Sequence, residues 1–106
     1  MTPFIKICGI KKYEHVKVAE KNGVLWYGLV FHKNSPRFID LHDAEKIVKK
    51  SNKSIFPIAV TVNPEESFIK SLTEIGIENI QLHGNETLEY CLYLKNKFNI
   101  KIFKGI

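Results

Sequence analysis

Five side chains able to do chemistry stand at or just beyond the ends of apolar segments. Cys8 closes "FIKIC", and Gln81 and His83 alternate in "IQLHG". Arg37 follows the second apolar segment in "SPRF", and Asn63 closes the third in "AVTVN". A thiol, a guanidinium, two amides and an imidazole on one rim would suit a polar, anionic small molecule. Arg37 could hold a carboxylate of that molecule through two parallel hydrogen bonds.

Each of these residue types also has a purely structural interpretation, and Arg37 taken alone would be a charged residue of a surface loop. Cysteine is often an inert buried residue, although a following glycine lets a ligand approach Cys8 closely. Gln81 and His83 point to the same side of a strand, where they could satisfy buried polar groups or contact a substrate. Asn63 could be only a helix cap. Lys6 alternates with Cys8, and a supporting ion pair is a simpler role for it than catalysis.

The elements that must position these residues alternate between strands and helices along the chain. Short β-branched runs predict strands, and amphipathic stretches ending near Gly23 and Gly76 predict helices. The strands are expected over 4–8, 24–31, 55–63, 78–84 and 100–106, and the helices over 12–23, 41–51, 64–76 and 86–99. This repeat predicts a parallel α/β sheet formed by a single domain over residues 1–106.

Two architectures share this repeat, an open doubly wound sheet and a (β/α)₈ barrel. A nucleotide-binding sheet would carry a glycine-rich phosphate loop after its first strand, and "CGIKKY" is not one. A receiver-type sheet would carry acidic residues where this chain has Cys8 and Asn63. The loops therefore favour an incomplete barrel of about four βα units plus a fifth strand, with its active face at the carboxyl ends of the strands.

Composition limits the function classes. The chain is 44% hydrophobic and 25% charged, as folded domains are, and it contains no apolar run long enough to cross a membrane. The beginning of the chain lacks the features of a signal peptide, so we expect a cytoplasmic protein without a membrane partner. The net charge is +5, but Arg37 is the only arginine among 16 basic residues. A lysine-based charge favours general solubility over a nucleic-acid surface.

The cysteines and histidines do not form a metal or redox motif. Cys8 and Cys91 are far apart in the sequence, and both are expected to be thiols. Cys91 lies with Leu88, Leu92 and Leu94 on the apolar side of the last predicted helix, which indicates packing. The four histidines lack the spacing of metal ligands, so no metal site is expected.

Three motifs taken together indicate a family. "KICGI", "GLVFHKNSPRFI" and "IQLHG", in this order and at these spacings, resemble phosphoribosylanthranilate isomerase. That family has a (β/α)₈-barrel fold and acts in tryptophan biosynthesis, a pathway of aromatic amino-acid biosynthesis. The resemblance implies an aldose–ketose isomerase that needs no cofactor. Its reaction is the Amadori rearrangement of N-(5′-phosphoribosyl)anthranilate to 1-(2-carboxyphenylamino)-1-deoxyribulose 5-phosphate.

The resemblance also implies roles for the rim residues. An acid must open the furanose ring, and a base must remove the C2′ proton of the resulting Schiff base. By resemblance, Cys8 is the base, and Arg37 binds the anthranilate carboxylate. Gln81 and His83 are candidate substrate-binding residues. Lys11 and His15 depart from the family pattern near the first helix and put little in doubt.

The length of the chain is the larger departure. The family is about twice as long, and its second half would carry the general acid and the phosphate-binding loops. We therefore expect a chain resembling the N-terminal half, inactive alone, that self-associates or pairs with a C-terminal half-barrel. Two alternatives stay open: a non-catalytic half-barrel that serves as a binding or assembly module, and a basic nucleic-acid-binding domain.

Overall fold

The computed structural model describes residues 6–104, which form alternating strands and helices. The strands are β1 (Lys6–Ile7), β2 (Trp26–Val30), β3 (Phe56–Thr61), β4 (Asn79–Leu82) and β5 (Lys101–Lys104). The helices are α1 (Tyr13–Lys21), α2 (Leu41–Lys50), α3 (Glu66–Glu74) and α4 (Leu88–Phe98). The predicted elements are thus confirmed within this range. The parts of the first and fifth predicted strands at 4–5 and 105–106 lie outside the described residues.

Strand order distinguishes the two architectures. All pairings are parallel, and the sheet runs β1-β2-β3-β4-β5 in the order of the chain. A doubly wound sheet reverses direction at a switch point, whereas strands in a (β/α)₈ barrel follow one another without reversal. Right-handed connections between sequential strands also place all the helices on one face. The fold is therefore α/β with the topology of part of a (β/α)₈ barrel, as predicted.

The core lies between the helices and the outer face of the sheet. Tyr27 and Leu29 of β2 and Ile80 and Leu82 of β4 are fully buried there. The helices cover these strands with apolar residues at helical spacing, namely Val16, Ala19, Ala44, Ile47, Ile69, Leu72 and Leu94. Because the core uses only one face of each strand, the other face is available to carry the site.

That other face, called the inner face here, carries Trp26, Phe56, Ile58, Gln81 and Phe103. Trp26 packs on Phe56 with ring centroids 5.2 Å apart. Phe56 and Phe103 are 45% and 42% exposed. The inner face of the described chain is therefore an apolar surface that is only partly covered.

Several expectations about helix ends and faces are wrong. Asn63 does not cap α3, whose N-cap is Glu65. The fourth helix begins after Thr87, whose side chain accepts a hydrogen bond from the Tyr90 N–H, so Glu86 lies outside it. The predicted apolar side of α4 is only partly buried. Leu94 is buried, but Leu88 and Leu92 are 75% and 51% exposed.

None of the described helices is long and apolar enough to span a membrane.

Candidate functional site

The carboxyl ends of the strands gather the predicted site residues along one rim. Cys8 follows β1, the loop after β2 carries Arg37, Asn63 lies two residues beyond β3, and His83 follows β4. All four residues are exposed. The parallel pairing brings these ends to the same edge, which places the predicted residues on one surface.

Cys8 rests against a glycine of the neighbouring strand. A Cβ atom at Gly28 would lie 2.9 Å from the Cys8 Sγ and 3.4 Å from its Cβ. The N–H groups of Gly9 and Ile10 both donate to the Gly28 carbonyl at 3.1 Å, which anchors the turn after β1. Any other residue at position 28 would displace the thiol. Gly28 was not among the residues predicted from the sequence, although a glycine inside an apolar strand can mark a close approach.

Arg37 reaches the same turn from the loop after β2. Its aliphatic stem lies over Gly9, where a Cβ atom would overlap the Arg37 Cδ and lie 3.1 Å from the Cγ. Gly9 has a φ of +80°, a conformation that other residues adopt at a cost. The loop itself is held by the Arg37 N–H donating to the Ser35 hydroxyl at 3.1 Å and by the Ile39 N–H donating to the Val30 carbonyl at 2.9 Å. The structure therefore brings Arg37 next to the residue that follows Cys8.

Gln81 lies deeper on the inner face than the rim residues. Its Oε1 accepts a hydrogen bond from the Lys6 Nζ, which links β4 to β1 across the face. Lys6 and Gln81 line one cavity with Ile58 and Phe103. The partner of Lys6 is thus a neutral amide rather than the carboxylate of the expected ion pair. Lys6 and Cys8 are two residues apart along an extended segment, so the lysine ammonium lies on the same face as Cys8.

His83 and Asn63 lie at adjacent strand ends. The His83 N–H donates to the Thr61 carbonyl at 2.8 Å, which continues the β3–β4 pairing by one residue. Asn63 has a φ of +46°, in the left-handed region, and its Oδ1 accepts from the Asn85 N–H at 3.0 Å. Asn63 therefore shapes the corner after β3 and fastens it to the turn after β4.

Glu86 is a rim residue that sequence analysis did not single out. Its Oε2 accepts from the Asn63 N–H at 2.7 Å, and its Oε1 accepts from the Gly84 N–H at 2.9 Å. Lys104, at the end of β5, pairs with the same Oε1 at 2.6 Å and donates to the Gly84 carbonyl at 2.5 Å. The only sequence signal was a carboxylate three residues after His83, which also fits a helix start.

The charge state of Glu86 follows from these contacts. Burial alone would raise the pKa of its carboxyl, but hydrogen bonds from Lys104 and from the N–H groups of Glu86, Asn63 and Gly84 outweigh burial. The pKa of Glu86 is therefore lowered, and the carboxylate is charged at neutral pH.

Between residues 6 and 104, no three His, Cys, Asp or Glu side chains come together in a way that could hold a metal ion.

Comparison with known proteins assigns this chain to a family. The model of a family described as N-(5′-phosphoribosyl)anthranilate isomerase matches residues 5–104. The chain belongs to this family. The resemblance drawn from its three motifs is thereby confirmed.

Curated relatives are similar over nearly all of the chain. An N-(5′-phosphoribosyl)anthranilate isomerase of Rhizobium rhizogenes is 35% identical over 107 aligned residues, covering 100% of this chain and 48% of the relative. One from Legionella pneumophila is 36% identical, covering 96% and 48% respectively. The chain thus spans about half the length of the relatives that it matches.

Solved structures of the family share the fold. A phosphoribosylanthranilate isomerase bound to reduced 1-(o-carboxyphenylamino)-1-deoxyribulose 5-phosphate has a TM-score of 0.91 at 30% identity, over 97% of this chain and 53% of that one. The enzyme from Thermotoga maritima has a TM-score of 0.90 at 30% identity, over 97% and 50%. The five strands and four helices described above are therefore the family fold over half of its length.

Proposed function

We propose that this chain provides the N-terminal part of a phosphoribosylanthranilate isomerase active site. The reaction is the Amadori rearrangement of N-(5′-phosphoribosyl)anthranilate to the aminoketose 1-(2-carboxyphenylamino)-1-deoxyribulose 5-phosphate. It is a step of tryptophan biosynthesis that needs no cofactor, and we place it in the cytoplasm.

Cys8 is the general base that removes the C2′ proton, which leaves an enolamine after ring opening. The thiolate is the reactive form, so the site must generate it before or upon substrate binding. The guanidinium of Arg37 holds the anthranilate carboxylate through a bidentate contact. Gln81 of β4 and His83, which follows β4, bind the substrate.

The observation that supports these roles most directly is the contact of the Arg37 stem with Gly9. A substrate whose carboxylate is held by Arg37 would extend over the turn that presents Cys8, because Gly9 leaves no side chain in between. The exposed Cys8 thiol then lies within reach of a sugar attached to the anthranilate nitrogen.

The described residues do not supply every group that the reaction needs. The relatives are about twice as long as the region that this chain matches, and we assign the general acid and the phosphate site to a C-terminal half-barrel. Pairing could bury the inner face and give both edge strands a partner.

One observation favours a second function. The exposed aromatic residues of the inner face, Phe56 and Phe103, would also serve a non-catalytic half-barrel that binds or assembles with another chain. This alternative needs neither Cys8 nor Arg37.

Reconstitution separates the two functions. The chain would be co-expressed with the C-terminal half of the Legionella relative, and turnover would be followed by the loss of substrate fluorescence. We expect Cys8→Ser to reduce kcat by about two to four orders of magnitude. Cys91→Ser is the matched control, since Cys91 packs against the core on α4, and it should change kcat less than about twofold.

Each failure has its own meaning. If the parent pair assembles but shows no turnover, the isomerase function is wrong and the assembly module is favoured. If the parent is active and Cys8→Ser is equally active, the base has been assigned to the wrong residue.

A further inference from the structure

The ends of three neighbouring strands are tied together by a single carboxylate. Glu86 accepts the N–H of Asn63 after β3 and the N–H of Gly84 after β4, and it pairs with Lys104 at the end of β5. We call these four residues the rim clamp. No other group on the rim contacts the ends of β3, β4 and β5 at once among the hydrogen bonds of residues 6–104.

The burial of the clamp is uneven. The Glu86 side chain is 1% exposed, whereas that of Lys104 is 41% exposed. A buried carboxylate is costly unless donors surround it, and here its oxygens accept from the N–H groups of Asn63 and Gly84 and from the Lys104 ammonium, in addition to its own N–H. Because its acceptor positions are occupied by the protein, Glu86 is placed to act through the backbone rather than on a ligand directly.

The rim clamp depends on the backbone conformation of Asn63 and on the absence of a side chain at Gly84. Asn63 holds a left-handed conformation, and a Cβ atom at Gly84 would lie 2.7 Å from the Asn63 Oδ1. A side chain at residue 84 would therefore displace the Asn63 amide, whose Oδ1 accepts the Asn85 N–H at 3.0 Å. His83 immediately precedes the turn after β4, so the clamp fixes the backbone from which its imidazole extends.

We infer that Glu86 is a positioning residue that holds the His83–Gly84 segment in place for the substrate. The inference rests on the proposed function, because it assigns His83 to substrate binding. It predicts that loss of the carboxylate weakens substrate binding without removing any group that contacts the substrate. Lys104 supports the same geometry by neutralising Glu86 and holding the Gly84 carbonyl.

The chain offers a matched control for the ion pair. Glu66 and Lys97 also pair at 2.6 Å, but they join α3 to α4 and take no part in the hydrogen bonds of the rim clamp, and their side chains are 39% and 46% exposed. Glu66→Gln thus removes a carboxylate–lysine contact of the same length without removing any hydrogen bond of the rim clamp.

The first test measures the clamp in the 106-residue chain by ¹H–¹⁵N NMR. Glu86→Gln should shift the Asn63 and Gly84 amide protons upfield and accelerate their exchange about tenfold or more. Glu66→Gln should leave both amides unchanged. Should Glu86→Gln fail to fold, Lys104→Met keeps the carboxylate and should move the same two amides by a smaller amount. Unchanged amides in the folded variants would overturn the clamp.

The second test measures the consequence in the reconstituted enzyme. We expect Glu86→Gln to raise KM about tenfold with a smaller change in kcat, and Glu66→Gln to leave KM within about twofold. Shifted amides with an unchanged KM would overturn the positioning role. An inactive parent pair would reject the proposed function, whereas the amide measurement would still decide whether the clamp exists.

Discussion

Two glycines of this chain allow the effect of a positive φ to be distinguished from the effect of steric overlap with a neighbouring side chain. Gly9 and Gly23 have φ values of +80° and +78°. A Cβ at Gly9 would run into the Arg37 stem, whereas a Cβ at Gly23 would meet no atom within 4 Å. The two positions therefore carry the same conformational demand, but only Gly9 lies beneath a site residue.

We therefore expect Gly9→Ala and Gly23→Ala to have similar costs in stability and different costs in binding. Each should lower the free energy of unfolding by about 1–2 kcal/mol because of its positive φ. Only Gly9→Ala should displace Arg37 and raise KM in the reconstituted enzyme, by about tenfold. Urea unfolding and steady-state kinetics measure the two effects. An equal KM for both variants would show that the position of Arg37 over Gly9 does not matter for binding.

The sequence was informative about single residues where a motif marks them. Cys8 and Arg37 were found because they follow apolar segments, and their roles were inferred because their motifs resemble a family; the structure places them at the same turn. Gly28 and Glu86 were missed because their importance depends on contacts between strands, 20 and 23 residues apart in sequence. The Cys8–Gly28 contact and the Glu86–Asn63 hydrogen bond exist only after the strands have paired.

At the level of the elements, the same contacts explain which boundaries were wrong. Propensity extended the helices toward the rim at residues 64 and 86, but α3 and α4 begin at Glu66 and Leu88. The intervening residues are used for the corner of Asn63 and the contacts of Glu86. The Asn63 N–H, the Asn63 side chain and the Glu86 carboxylate bind across strands instead of continuing a helix.

The rim clamp makes the stability of the folded chain depend on pH. The pKa of Glu86 is lowered in the folded chain, so its contribution to stability is present above the unfolded pKa, near 4.5, and is lost as the pH falls through the folded pKa. At pH 7, Glu86→Gln should lower the free energy of unfolding by about 2 kcal/mol, since it removes hydrogen bonds to a charged carboxylate and keeps only one of the two acceptor oxygens. Below pH 4.5 this difference should shrink, because the parent carboxyl becomes protonated.

Urea unfolding at several pH values, followed by the fluorescence of Trp26, would measure the difference in the free energy of unfolding between the parent chain and Glu86→Gln. Glu66→Gln again serves as the control. The pKa of Glu66 is also lowered, through its hydrogen bond with Lys97, but this exposed pair should contribute little at any pH. A difference between parent and Glu86→Gln that stays constant from pH 7 to pH 3 would contradict the charged clamp.

At the scale of the whole molecule, the sheet of the described chain has one face that is buried by helices and one face that is only partly covered. The outer face of the sheet is buried by the helices, while the inner face leaves Phe56 and Phe103 nearly half exposed. In the sheet formed by residues 6–104, β1 and β5 are the edge strands, and each has a partner on one side only. In a closed barrel the strands have no free edge, and side chains from opposite strands fill the interior.

We therefore predict that the 106-residue chain on its own associates into dimers or larger species and shows no isomerase turnover. Phe103 lies on both the inner face and an edge strand, so Phe103→Lys should shift sedimentation toward the monomer and reduce the binding of a hydrophobic dye. The control is Val18→Lys on α1, where an apolar side chain is 59% exposed away from the inner face. This control should leave association unchanged. A parent chain that sediments as a stable monomer and turns over substrate would contradict the half-barrel interpretation.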